Sequence, residues 1–422
     1  VLRPAVAAGL LPLAVLLAAC GTGPALAPVP ATTPTTPTTT ASTSAPSPTP
    51  SATPTSKPTP TPAPSTSKPA PREPTCAAVV HGMSLAEQVG QTVMVAQSST
   101  RASREGAETI RRLHLGSVVL LGNSTAGRAA TRDLVDDLRD DLDEVDGVGL
   151  LVAVDQEGGL VQRLKGPGFD TIPSARTQAG WSDQTLRRRA ETWSEQLGRA
   201  GIDLDLAPVA DVVPSSVGAA NQPVYALRRG FGPEPSVVAR KTVAVVEGMH
   251  AGGTATAVKH FPGLGRVRGN TDFTARVVDT RTTRHDALLA GFRADVEHRT
   301  DAVMVSSAVY SRIDADHPAT YSRTVVEGML RHDLGFDGVV VSDDLLGKAL
   351  ASTSVRTRGV RFLEAGGDLA LVGSTSAAVQ VHDGLLDRAR TDRAFRKRVE
   401  QSATRVVALK SRQGLVPCRV TG

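Results

Sequence analysis

Thr256-Ala257-Val258-Lys259-His260-Phe261-Pro262-Gly263-Leu264-Gly265 is a short β-branched and apolar run that ends abruptly in a Lys-His pair and then breaks into Pro and Gly. A strand that stops by presenting a cation and an imidazole to a loop suits a polar ligand. Seven more apolar runs, each bounded by turn or helix signals, lie at 92–95, 117–121, 150–154, 203–207, 302–306, 338–342 and 368–372. Between them, 125–142, 184–200, 236–251, 287–297 and 324–334 carry helical periodicity. Alternating strand and helix implies crossover connections and a parallel sheet. A doubly wound open sheet fits the alternation too. The count of eight and the length favour a closed (β/α)8 barrel of TIM type, and no GxGxxG follows the first strand to support a dinucleotide fold.

The N-terminus speaks to compartment. Arg3 precedes an apolar run at 10–19, too short to span a bilayer but suited to a signal-peptide core over residues 1–19. Leu17-Ala18-Ala19-Cys20-Gly21 resembles a bacterial lipobox, in which the Cys is acylated and becomes the new N-terminus; the plainer alternative is a cleaved signal with a chance Cys. Val1 in place of Met fits an alternative start codon. Residues 20–74 are nearly all Thr, Pro, Ser and Ala. Such a segment buries too little apolar surface to offset its conformational entropy, so a disordered tether is expected. At about 3.1 Å per residue where polyproline-like, it reaches on the order of 100 Å. The expected location is extracytoplasmic, on the outer face of the cell membrane through a lipid on Cys20.

Residues 75–422 show no second linker and read as one domain. Cys76 and Cys418 stand at its ends as the cysteines left after lipidation. In an oxidising exterior one disulfide is the economical reading, and two unpaired thiols the alternative. No Cys or His cluster has ligand spacing, so no metal is expected. A formal charge of +5 and a pI near 9.3 suit anionic wall polymers or lipid head groups. The export signal and the 3% content of Phe, Trp and Tyr disfavour nucleic acid. The same scarcity argues against a long ring-stacking groove and for a small pocket that reads hydroxyls.

In a barrel of this kind the functional face is where the strands end. Polar residues recur there: Asp155-Gln156-Glu157, Asp211, Lys259-His260, Ser306-Ser307 and Ser342-Asp343-Asp344. Asp343 follows a fully apolar strand, which places its carboxylate in partly desolvated surroundings at the mouth. The plainer reading has Ser342, Asp343 and Asp344 capping the next helix; Asp344 is assigned to the cap and Asp343 to the pocket. A carboxylate there can attack an anomeric carbon while a second group about 5 Å away protonates the leaving oxygen.

Three blocks carry a resemblance. Asp155-Gln156-Glu157-Gly158-Gly159-Leu160-Val161-Gln162-Arg163, Lys259-His260-Phe261-Pro262-Gly263 and Gly335-Phe336-Asp337-Gly338-Val339-Val340-Val341-Ser342-Asp343-Asp344-Leu345 resemble the signature blocks of glycoside hydrolase family 3, in the family's order. Within it, the single-domain bacterial β-N-acetylglucosaminidases are similar over most of residues 84–414. The resemblance implies that Asp343 is the nucleophile, and that Asp155, Arg163, Lys259, His260 and Arg229 hold the hydroxyls of the terminal sugar. Directional, charge-assisted bonds to vicinal hydroxyls fit that role. Arg163 and Lys259 also suit salt bridges to Asp155 or Asp211, and His260 a structural role. Glu157 is expected to brace the loop through backbone amides, and Asp211 to lie either against substrate or behind it.

One loop departs from the pattern. In the single-domain branch the Lys-His-Phe-Pro-Gly block continues with His-Gly and then Asp-Ser-His, whose Asp-His pair is the general acid and base. Here Asn270, Thr271 and Asp272 stand in place of that Asp-Ser-His. Three explanations compete: Asp272 is itself the acid and base, its pKa raised by Asp343; His285 or His317 enters the site; or the loop has lost catalysis. The expectation is a retaining exo-β-N-acetylglucosaminidase acting on peptidoglycan (muropeptide) fragments. The rivals are a muropeptide or amino-sugar binding lipoprotein, and a phosphorylase or transferase. The exo mode follows from a compact pocket with few aromatics, whereas the N-acetyl preference rests on the resemblance alone. The eighth strand is followed by a helical stretch at 377–409, and no second domain is expected after it. A monomer without cofactor is expected, since a nucleophile and a proton donor suffice for glycosidic cleavage.

Overall fold

In the computed structural model, which describes residues 73–140 and 147–420, eight strands share one sheet. They are β1 (Val93–Ser98), β2 (Ser117–Leu121), β3 (Leu151–Val154), β4 (Leu204–Asp205), β5 (Ala255–Phe261), β6 (Ala302–Val305), β7 (Val339–Ser342) and β8 (Ala370–Val372). The expected signal segment, Cys20 and the tether up to residue 72 lie outside the described residues. Neighbours run β7-β6-β5-β4-β3-β2-β1-β8, all parallel. The ring closes where Val341 bridges Leu369; Asp368 and Leu369 amides donate to Val340 O, and the Ser342 amide to Leu369 O. All eight expected strands are present, within a (β/α)8 barrel.

The unbroken apolar runs have a simple cause: each strand is buried on both faces. Met94, Val119, Leu151, Ala153, Ala257 and Met304 belong to a cluster inside the ring. Their alternates Val93, Val95, Val118, Val152, Val258 and Val303 join the layer between strands and helices. The period of two along a strand therefore divides lumen from helix layer.

The helices start where side chains satisfy their first amides. Ser84 and Glu87 form a reciprocal capping box ahead of Leu85–Gln91. Ser182 accepts from Thr185 N at the start of Asp183–Arg199, whose buried residues Leu186, Ala190, Trp193 and Leu197 recur at helical spacing. Three details differ from the sequence expectation. The 377–409 stretch is two helices, Thr375–Thr391 and Arg393–Arg412, because Asp392 turns extended and its Oδ1 accepts from Ala394 N and Phe395 N. The 287–297 stretch opens with a 3-10 turn, Ala287–Leu289, before Ala290–Glu297. Thr324–Asp333 is π-helical. Among the described residues no helix is long and apolar enough to cross a membrane.

The end of the barrel where the strands begin is a structural base. A disulfide joins Cys76 to Cys418, packed with Val80, Met83, Val148 and Val407. Asp368, fully buried, accepts from Arg331, Arg398 and Arg405. Lys410 is equally buried, and its Nζ donates to Gln91 Oε1 at 2.6 Å. Gly116 leaves it room: a Cβ there would stand 2.8 Å from Lys410 Nζ. Burial drives the Lys410 ammonium down to about 7, with Asp203 opposing. Between that value and the ordinary 10.5 the unfolded chain binds more protons than the folded one, so stability from this group rises with pH across the interval. Urea titrations should therefore show the midpoint of the unmutated protein climbing from pH 7 to pH 9 more steeply than that of Lys410→Met, with the variant the more stable at pH 7.

Candidate active site

Where the strands end, buried charge replaces apolar packing. Lys259 continues the inward series of Ala255 and Ala257 on β5, so its side chain reaches the mouth from inside the ring. At His260 the β5–β6 ladder slips: Lys259 pairs with Met304 and Phe261 with Val305. The extra residue re-aims the strand, and two consecutive side chains reach one polar network instead of opposite faces. Beyond β3, Asp155 leads into the antiparallel pair Gln156–Gly158 and Val161–Gln162. Buried Gln156 fixes that turn by exchanging two hydrogen bonds with Leu164 backbone, at 2.8 and 3.0 Å. At its tip Gly158 has φ +96°, and a Cβ would fall 2.4 Å from Pro173 O, so no other residue fits.

The side chains join in a chain of contacts. Lys259 Nζ donates to Asp155 Oδ1 at 2.6 Å and lies 2.7 Å from Glu157 Oε1. Arg229 grips both Glu157 oxygens at 2.8 Å, and its Nη2 stands 3.3 Å from His260 Nε2. His260 Nδ1 donates to Asp211 Oδ2 at 2.7 Å, while Asp211 Oδ1 accepts from Leu264 N at 2.7 Å. Lys259, His260 and Asp211 are 1%, 5% and 0% exposed, so the charges answer to each other rather than to water. Burial alone would raise the Glu157 carboxyl, but Arg229 and Lys259 hold it down to about 2. Burial works against the Lys259 ammonium too, and Asp155 and Glu157 still raise its pKa.

Asp343 stands half-buried just past β7, its Oδ1 accepting from Asp344 N. Burial raises its carboxyl to about 6; the Asp272 carboxylate adds to the rise and His260 opposes it. Asp272 is exposed, on a loop that docks beside Asp343 through two backbone bonds: Lys348 N to Asp272 O and Ala349 N to Thr271 O. Asn221 anchors the start of that loop, its Nδ2 donating to Leu264 O and Val267 O.

Several residues sit differently from expectation. Glu157 does not brace backbone amides; its carboxylate is spent on Lys259 and Arg229, because two buried cations need a shared anion more than amides do. Asp344 caps no helix. It closes a turn by accepting from Leu346 N and Gly373 N. Asp211 lies behind His260 and orients it. Lys259 takes the expected ion pair with Asp155, whereas Arg163 pairs with neither Asp155 nor Asp211, and its buried Nε has no hydrogen-bond partner among the described residues. His285 is exposed. His317 pairs with Asp314 and lines a separate cavity with Arg276 and Lys348. Among the described residues no group of His, Cys, Asp and Glu is placed to hold a metal. Asn221 escaped sequence reasoning, since a polar residue in a polar loop carries no signal of what its amide spans.

The model of the family described as "Glycosyl hydrolase family 3 N terminal domain" matches residues 84–409. The chain belongs to glycosyl hydrolase family 3. A β-hexosaminidase of Bordetella avium (strain 197N) is 32% identical over 311 residues, covering 70% of this chain and 83% of the relative. The crystal structure of a β-N-acetylhexosaminidase from Beutenbergia cavernae DSM 12333 is 43% identical, with a TM-score of 0.77, over 78% of this chain and 99% of that one. A family 3 β-N-acetylglucosaminidase from Paenibacillus sp. str. FPU-7 is 30% identical, with a TM-score of 0.72, over 81% and 65% of the respective chains. This family 3 chain is thus a glycoside hydrolase, similar to enzymes named for β-N-acetylhexosaminidase activity.

Its polar network makes a stability statement. Glu157→Ala would leave Lys259 and Arg229 buried without their shared anion, at a cost of about 3–5 kcal/mol. Urea unfolding should show a loss of that size for Glu157→Ala and a smaller one for Glu157→Gln, which keeps an acceptor.

Proposed function

We propose that this glycoside hydrolase removes a terminal β-linked N-acetylglucosamine, with retention, from small peptidoglycan fragments, while held to the outer face of the cell membrane by a lipid on Cys20. The observation that carries the chemistry is the pairing of Asp343 with Asp272: one carboxylate desolvated at the end of β7, the other on a loop bonded to the segment just after it. Like charges disfavour each other's ionised form, so the Asp272 carboxylate adds to the rise that burial gives Asp343. In the proposed reaction Asp343 attacks the anomeric carbon as the glycosidic C–O bond breaks, and Asp272 gives its proton to the leaving oxygen. Water then attacks the glycosyl ester, returns a proton to Asp272 and frees Asp343. Asp272 thus takes the role that an Asp-His pair has in similar sequences.

The pocket supports binding of a single sugar. Lys259 has three donors and uses two on Asp155 and Glu157, leaving one for a hydroxyl. Arg229 and His260, held by Glu157 and Asp211, form the wall beside Lys259. The N-acetylglucosamine preference is supported by the names of the relatives, and the envelope location by the lipobox-like segment.

Asp343→Asn should abolish turnover of both 4-nitrophenyl N-acetyl-β-glucosaminide and a GlcNAc-anhydroMurNAc fragment while calorimetry still detects sugar binding; residual hydrolysis at the unmutated rate would dismiss it as nucleophile. Asp272→Asn should slow the natural fragment about 10²- to 10⁴-fold and the activated aryl glycoside much less. In pH profiles, kcat/KM should climb as the Asp343 carboxyl ionises, near about 6. That midpoint should fall in Asp272→Asn, because a neighbouring negative charge has been removed.

A further inference from the structure

Behind the sugar pocket stands a carboxylate that the proposed reaction does not use. Asp205 ends β4 and is 3% exposed. Its Oδ1 accepts from Gln156 N at 2.9 Å, the one hydrogen bond its side chain makes among the described residues. Gln156 stands between Asp155 and Glu157, the two carboxylates that answer Lys259. Asp205 therefore holds, from behind, the turn that presents both of them. A cavity of about 20 Å³ adjoins it, lined also by Gln156, Glu157, Gln178 and Arg229. That is room for one water and for no sugar, so Asp205 acts on the mouth through position and charge.

The charges around it do not balance once it ionises. Asp155 and Glu157 face it from the turn after β3, Lys259 from β5 and Arg229 from the loop after β4. The helices behind, Asp183–Arg199 and Pro235–Ala251, offer Trp193, Val245 and Met249 instead. Lys259 and Arg229 already answer Asp155 and Glu157, at 2.6 to 2.8 Å. An ionised Asp205 is thus one negative charge in excess in a buried group, which is costly. Burial accordingly raises its carboxyl to about 7; Gln156 N and Lys259 oppose the rise, and Asp155 and Glu157 add to it. A sugar seated on Lys259 and Asp155 would remove water that screens the excess charge, favouring the neutral acid further. By linkage, the ionised acid then binds sugar less tightly.

We propose that Asp205 is a positioning residue of the sugar pocket: its neutral form holds the Asp155–Glu157 turn with the surrounding charges in balance, and its ionisation weakens the grip on the sugar. This role rests on the pocket proposed above, and it gives binding a pH dependence separate from that of Asp343 in turnover.

Calorimetric titration of the full chain with N-acetylglucosamine, between about pH 6 and about pH 8, tests it. Affinity should fall about fivefold over that range in the unmutated protein, with proton uptake on binding that appears as a buffer-dependent heat. Asp205→Asn stays neutral and keeps an acceptor for Gln156 N, so it should bind without this fall and without the extra proton. Asp205→Ala removes the acceptor too and should bind more weakly at every pH. Titration of Asp343, Asp272 and His260 is common to the unmutated protein and Asp205→Asn, so the comparison isolates Asp205. A residue that merely supports the fold would leave Asp205→Asn with the pH dependence of the unmutated protein, and that result overturns the role while sparing the pocket. Absence of sugar binding by either protein at any pH overturns the pocket and the role together.

Discussion

The mouth of this barrel depends on one shared carboxylate. Glu157 answers both Lys259, which also has Asp155, and Arg229, which would otherwise face a desolvation cost of several kcal/mol with no carboxylate partner. Arg229 in turn stands against His260, and His260 is fixed from the other side by Asp211. The chain therefore ties the loop after β3, the loop after β4 and the end of β5 into one electrostatic unit. The arrangement of the mouth rests on that unit as well as on packing, since its members sit on loops as well as on strands.

The barrel was legible because its strands are buried on both faces and so stay apolar along their length, while the intervening helices keep a 3.6-residue period. What the sequence hid is local. Asp392 breaks 377–409 into two helices with a single extended residue, and an Asp within a charged stretch looks like helix surface. The residues proposed to hold the sugar were singled out by their likeness to family motifs, and the structure gathers Asp155, Lys259, His260 and Arg229 into one network. The partners of that network were harder to foresee. Whether Glu157 meets amides or cations depends on loops brought together from 72 and 102 residues away, and no local pattern reports such a meeting.

Replacement of an imidazole by Asp272 changes the electrostatics of the proposed reaction as well as its proton donor. A histidine beside Asp343 would favour the ionised nucleophile; a second carboxylate disfavours it and raises Asp343 instead. Glycosidic cleavage by two carboxylates requires one ionised to attack and one protonated to donate. His260 moderates the competition by favouring the charge on Asp343. Asp343 is half-buried at the end of a strand and Asp272 exposed on its loop, so burial bears on Asp343.

The two ends of the barrel use the same side-chain chemistry to opposite effect. At the base, Asp368 takes three arginines and Lys410 donates to Gln91, so these buried charges are answered by other parts of the fold. At the mouth Lys259, bonded to Asp155 and close to Glu157, retains a third donor. An unpaired buried donor costs about 1–3 kcal/mol in the free protein. That cost is recovered when a ligand supplies the acceptor, as a hydroxyl at Lys259 would. Specificity on such a surface comes from what the fold leaves unsatisfied.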